Sequence, residues 1–195
     1  LMRSSLFPFK NLNINLGKLR ILNIYNLAQK LNHRIYNLSL GKKFTNGFIR
    51  NGHDVIEISD RDYVRQNKTL NFINLKNKFH NYLLQTFKNY NPDIIFFGHS
   101  DHITGDILSD FKSLNKDIIV SQWNEDPFLT DLHDKSKNID KLKKNIPLVD
   151  HSFITTNPSV INISKKNSQN IHYFIIPVDK NIECFDVFKL NPEND

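Results

Sequence analysis

The chain has 195 residues, a formal net charge of +6 and one cysteine, Cys184. That length suits one domain around one core, and a lone cysteine excludes both a disulfide framework and a cysteine-based metal centre, favouring a reducing compartment. No apolar run approaches bilayer-spanning length, and the lysines are scattered rather than gathered into the dense basic arm that nucleic acid would call for.

Leu1–Gly17 carries too little pattern to assign. Leu1–Phe9, broken by Pro8, is too short for a signal peptide. Leu19–Tyr25 reads as a first strand, and Asn26–Leu40 as a long polar connection. Gly41 then opens a short helix, Lys42–Asn51, with Phe44 and Phe48 one turn apart on its buried side. Gly47 inside that helix costs stability unless something packs close to it. The turn Gly52-His53 leads into a second strand, Asp54–Ile58, followed directly by Ser59-Asp60-Arg61-Asp62. His53 reads as structural, on the edge of the sheet away from the strand ends. In Phe72–Tyr90 the apolar residues Phe72, Leu75, Phe79, Leu83, Phe87 and Tyr90 recur every three or four positions, the stripe of an amphipathic helix. Tyr82 is expected in the core with them.

Asp93–Phe97 is an apolar run between a proline turn and Gly98. Such runs are strands buried on both faces, as in parallel sheets. A helix over Ile103–Leu114, a strand over Asp117–Ser121 and a polar-aromatic loop, Gln122–Pro127, come next. Lys135–Asn145 reads as a basic, solvent-facing helix. Asp150–Thr155 is a strand, Asn157-Pro158 a helix start, and Ile171–Ile176 a last strand stopped by Pro177. Alternating strands and helices predict an α/β, Rossmann-like three-layer fold. We expect a parallel sheet of about six strands in the order 2-1-3-4-5(-6). The chain divides into an unassigned segment (1–17), one domain (18–179) and the start of a linker (180–195).

In open α/β sheets, ligands bind outside the carboxyl ends of the strands. The polar groups expected there lie in Ser59–Asp62, Gly98–Asp101 and Gln122–Pro127, with Gly41–Lys43 opening a helix nearby. Gly98 is expected to supply the turn after the third strand. His99 is a candidate general base because imidazole titrates near neutrality. Asp101 is near enough to orient it or share the site. Lys42 and Lys43 at a helix N-terminus suit an anion, or are simply solvated. Trp123 either stacks on a sugar or base ring or plugs the end of the sheet. Glu125 and Asp126 beside it either accept hydrogen bonds from hydroxyls or cap a turn. His99, Asp101 and His102 make too sparse a set for a metal, so no metal and no cofactor are expected. Cys184 has no His or Asp constellation beside it and reads as inert.

With these residues in place a resemblance is visible. Asn51-Gly52-His53-Asp54-Val55 resembles the N-G-H-x-V turn of GT-B glycosyltransferases, and Pro92-Asp93-Ile94-Ile95 the strand that follows it in that class. Trp123, Asp126 and Pro127 resemble the W-x-x-D-P loop of CgeB-like, spore-maturation-type glycosyltransferases. Ile176-Pro177-Val178-Asp179 resembles the segment closing the N-terminal half. The likeness runs over roughly Leu19–Asp179. It implies the acceptor-side half of a sugar transferase, with a nucleotide-sugar donor held mainly by a second half. The acceptor would be a saccharide or a lipid-linked sugar of a cell-surface polysaccharide. The site implied has His99, Asp101 or Asp126 in catalysis and Gly41, Lys42, Lys43, Asp60, Arg61, Ser100, Trp123 and Glu125 in substrate binding. We expect a cytoplasmic location with peripheral contact at the inner membrane, and no sugar transfer by this chain alone. The alternative is a non-catalytic flavodoxin-like module that binds a phosphorylated or sugar ligand. A receiver-type signalling domain would need an acidic pair after the first strand, which Tyr25-Asn26 does not supply.

Overall fold

The structure, a computed structural model, describes residues 17–27, 39–67, 72–128, 133–157 and 170–183, with backbone alone at 72–73 and 133–137. In chain order the elements are β1 (Arg20–Ile24), α1 (Leu40–Arg50), β2 (Asp54–Ile58), α2 (Asp60–Gln66) and α3 (Phe72–Tyr90). Then come β3 (Ile94–Gly98), α4 (Gly105–Leu114), β4 (Ile119–Asn124), α5 (His133–Asn145), a 3-10 turn (Ile146–Leu148), β5 (His151–Ile154) and β6 (Ile171–Tyr173). The six strands form one sheet in the order β2-β1-β3-β4-β5-β6. Every pairing is parallel.

The apolar strands explain the layering. Because side chains alternate across a strand, Leu22, Ile24, Ile95, Phe97 and Val120 emerge on one face. There they pack against Phe79, Leu83 and Phe87 of α3 and Ile107, Leu108 and Phe111 of α4. Leu142 of α5 and Ile146 continue that layer over Ile154 and Ile171. On the other face Ile21, Tyr25, Phe96 and Trp123 meet Leu40, Phe44 and Phe48 of α1. Phe44 and Phe48 hold Phe96 edge-on at 4.9 and 5.4 Å. Burying an Ile or Phe of this kind stabilises the fold by about 1.5–3 kcal/mol.

Several local expectations change. Ser59–Asp62 is not a loop: Ser59 caps α2, its side chain accepting from the Asp62 N–H, so Asp60, Arg61 and Asp62 lie in the first helical turn. Gln122, Trp123 and Asn124 belong to β4. The helix expected from Ile103 starts at Gly105, because Thr104 is its N-cap. β6 ends at Tyr173, and Ile175 and Ile176 beyond it are exposed. Tyr82 is exposed too, stacked on Tyr63 at 4.8 Å, since it lies off the buried stripe of α3. Among the described residues, nothing outside the backbone of its own helix lies within 4 Å of a Cβ added at Gly47. The helix expected from Asn157-Pro158, the side chain of Phe72, Cys184 and most of Asn26–Leu40 lie outside the described residues.

Candidate functional site

The carboxyl ends of β3 and β4 face α5 across a cavity of about 60 Å³, bordered by Arg61, His99, Asp101, Trp123, Asp126 and Lys141. Asn138, Lys141 and Asn145 of α5 form its outer wall. Its base includes Gln122, whose amide donates to Ser152 Oγ at 2.9 Å and accepts from Asn145 Nδ2 at 3.1 Å. A larger hollow of about 530 Å³ adjoins it, sharing Lys141 and Asn145.

His99 adopts a left-handed backbone, φ +46°. For a residue with a Cβ this conformation costs about 1–3 kcal/mol and persists where its surroundings enforce it. Gly98 does not make the turn, contrary to expectation. It is needed for another reason: a Cβ there would fall 2.2 Å from the Trp123 indole, which lies directly on the Gly98 backbone. Trp123 in turn stands edge-to-face with the His99 ring, centroids 5.5 Å apart.

The loop is gripped from below by Asp60. Its Oδ2 accepts from Ser100 Oγ at 2.9 Å, from the Asp101 N–H at 2.6 Å and from the His102 N–H at 3.0 Å. Asp60, for which a binding role was expected, is fully buried, and its Oδ2 is spent on holding the loop. Ser100 is likewise buried with its hydroxyl engaged, and its carbonyl accepts from Lys141 Nζ. Arg61 and Asp101 do reach the cavity, as an ion pair at 2.6 Å with Lys141 a further 3.7 Å from Asp101. Burial lowers the pKa of Lys141, against the opposing pull of Asp101 and Asp60.

His99 Nε2 is paired with Glu125 Oε1. Pairing of Nε2 with the accepting Glu125 carboxylate raises the imidazole pKa above its usual 6.5, outweighing burial, with the charges of Glu125 and Asp126 adding to the rise. Asp126 is oriented by Asn138, whose Nδ2 donates to it at 3.1 Å, and by a turn in which its own N–H donates to Asn124 Oδ1 at 2.8 Å. The result is a histidine held by one carboxylate, with a second carboxylate alongside, at the mouth of a small polar cavity. Such a histidine can take a proton from a bound hydroxyl, because Glu125 stabilises the imidazolium that forms.

Trp123 is buried, in contact with Phe44 at 5.3 Å, so of its two expected roles the structure supports the plug at the sheet end rather than an open stacking platform. Gly41, Lys42 and Lys43 do not join this cavity. An added Cβ at Gly41 would lie 2.1 Å from the Tyr25 ring: Tyr25, directly after β1, fills the space beneath the first turn of α1. Its hydroxyl donates to Glu57 at 2.5 Å, and Lys42 pairs with the same carboxylate at 2.8 Å. Lys43 pairs with Glu183, and the N-terminus of α1 is capped by Ser39.

Asn138, Lys141 and Asn145 were not foreseen, since α5 reads as a basic, solvent-facing helix. The spacing of Ile139, Leu142 and Ile146 was the available signal, for it marks a buried stripe flanked by Lys141 and Asn145. Among the described residues, no three His, Cys, Asp or Glu side chains gather as a metal site, and no helix is long and apolar enough to cross a membrane. No protein-family model matches the chain, and no curated protein matches it.

Proposed function

We propose that this chain is the acceptor-side half of a sugar transferase of the two-domain GT-B type, with His99 as the general base. The observation that carries the proposal is the His99–Glu125 pair at the mouth of the cavity where β3 and β4 end. In this reading Nδ1, the ring nitrogen not paired with Glu125, takes the acceptor hydroxyl. In the proposed reaction the hydroxyl proton passes to His99 as the oxygen bonds to the anomeric carbon of the donor. The bond from that carbon to the nucleoside diphosphate breaks, and its electron pair leaves with the diphosphate. Asp126, held by Asn138, accepts a neighbouring hydroxyl of the acceptor. The small cavity takes the reacting edge of the sugar, and the adjoining hollow takes the rest. A lipid-linked acceptor would bring the chain to a membrane surface by peripheral contact.

The test follows the His99 imidazole signals by NMR while neutral mono- and disaccharides are added. We expect these signals to move, and Asp126→Asn to weaken the response. If only phosphorylated ligands move them, the chain is a binding module of the flavodoxin-like kind. If no saccharide moves them, the transferase reading fails.

A further inference from the structure

The face of the sheet that carries α1 also carries a pair of histidines that do not line the His99 cavity. His151 opens β5, and His172 sits at the centre of β6. The register of these parallel strands sets Phe153 opposite His172, so that His151, Phe153 and His172 emerge on one face. Phe153 lies 5.2 Å from the His172 ring and supports it from the side. His151 Nδ1 and His172 Nε2 are 3.1 Å apart, with the ring planes inclined at 47°.

We propose that His151 and His172 form a two-imidazole site for a divalent transition-metal ion of the zinc, nickel or copper class. Imidazole nitrogens bind such ions at about 2.0–2.1 Å. Two nitrogens at that distance, separated by the roughly 90–110° of square-planar or tetrahedral coordination, stand roughly 2.8–3.4 Å apart. The observed 3.1 Å falls inside that interval. Both rings are half-buried, so an ion can enter from solvent and complete its coordination with water. Imidazole binds such an ion through a neutral ring nitrogen, so binding should strengthen as pH rises. Hard oxygen-seeking ions such as magnesium have no place at a site of two imidazoles. A bound ion would join β5 to β6, a three-residue strand that among the described residues lies at the sheet edge.

The same separation also fits a simple N–H···N hydrogen bond, so the experiment must separate the two. The whole chain is titrated with zinc, nickel and copper salts, with magnesium as control, while the histidine ring ¹⁵N signals are followed. We expect saturable binding of one zinc or copper ion, seen at the rings of His151 and His172, and no response to magnesium. His151→Gln and His172→Gln should each weaken binding about tenfold or more, since even losing an outer-shell partner of a metal ligand has that effect. His99→Gln should leave binding unchanged. Absence of saturable binding to the unaltered chain would show a plain hydrogen bond. Binding that survives loss of both histidines would place the ion elsewhere. Either result overturns the proposal.

Discussion

Two corners of the sheet look alike in composition and differ in outcome. At the β1–α1 corner, Lys42 and Lys43 stand at a helix start near Tyr25 and Glu57. At the β3–β4 corner, His99, Asp101, Glu125, Asp126, Arg61 and Lys141 gather beside Trp123. In the first, both lysines are paired, and an aromatic ring occupies the space between helix and strand. In the second, an aromatic ring also lies on a glycine backbone, but it lies beneath the loop and leaves a cavity above. Charge at a strand end therefore does not by itself make a cavity. What matters is whether the adjacent aromatic fills the crevice or floors it.

The largest expected effect separates the corners by activity. In the proposed transferase, assayed with its donor-binding half, His99→Ala should lower turnover by about a hundredfold or more, as for loss of a general base. Lys42→Gln and Lys43→Gln should stay within a few-fold. A loss at Lys43 equal to that at His99 would move the site back to the first corner.

Next come the glycines under the two aromatic rings. Gly41→Ala and Gly98→Ala should each destabilise the fold by about 1–3 kcal/mol or more, because neither the Tyr25 nor the Trp123 ring can retreat from a buried position. Urea unfolding measures this directly. In the Gly98 variant the His99 signals should shift as well, whereas in the Gly41 variant they should not.

The pH profile sharpens the role of Glu125. Because that carboxylate raises the His99 pKa, base-catalysed activity should rise with pH through a value above 6.5. Glu125→Gln should move the inflection down. For stability the sign is opposite. The pair's contribution is fully present below the unfolded pKa and is lost as pH rises through the higher folded one. An inflection that ignores Glu125→Gln would remove the glutamate from the site.

The smallest effect is a gain. Gly47 sits within α1 with open space around it, so Gly47→Ala should stabilise the chain by about 0.5–1 kcal/mol. Set against Gly41→Ala in the same helix, it tests whether close approach, rather than glycine as such, distinguishes the two positions.

The order of elements and the parallel sheet were legible in the residues themselves. Runs such as Asp93–Phe97 are apolar without alternation because both faces are buried, and the stripe in α3 repeats at helical spacing. These are local periodicities, and a sequence displays them directly. The position of His99 at the end of a buried strand was also legible. What only the tertiary structure decided is which polar groups meet. Glu125 reaches His99 across paired strands, Asp60 holds the loop from the far side of β1, and Lys141 closes the cavity from α5. Tyr25 fills the crevice that Gly41 was expected to open. Each of these is a contact between residues far apart in the chain, set by strand order and by the direction in which a ring points. Periodicity records which face a residue occupies, but not what waits on that face from another part of the chain.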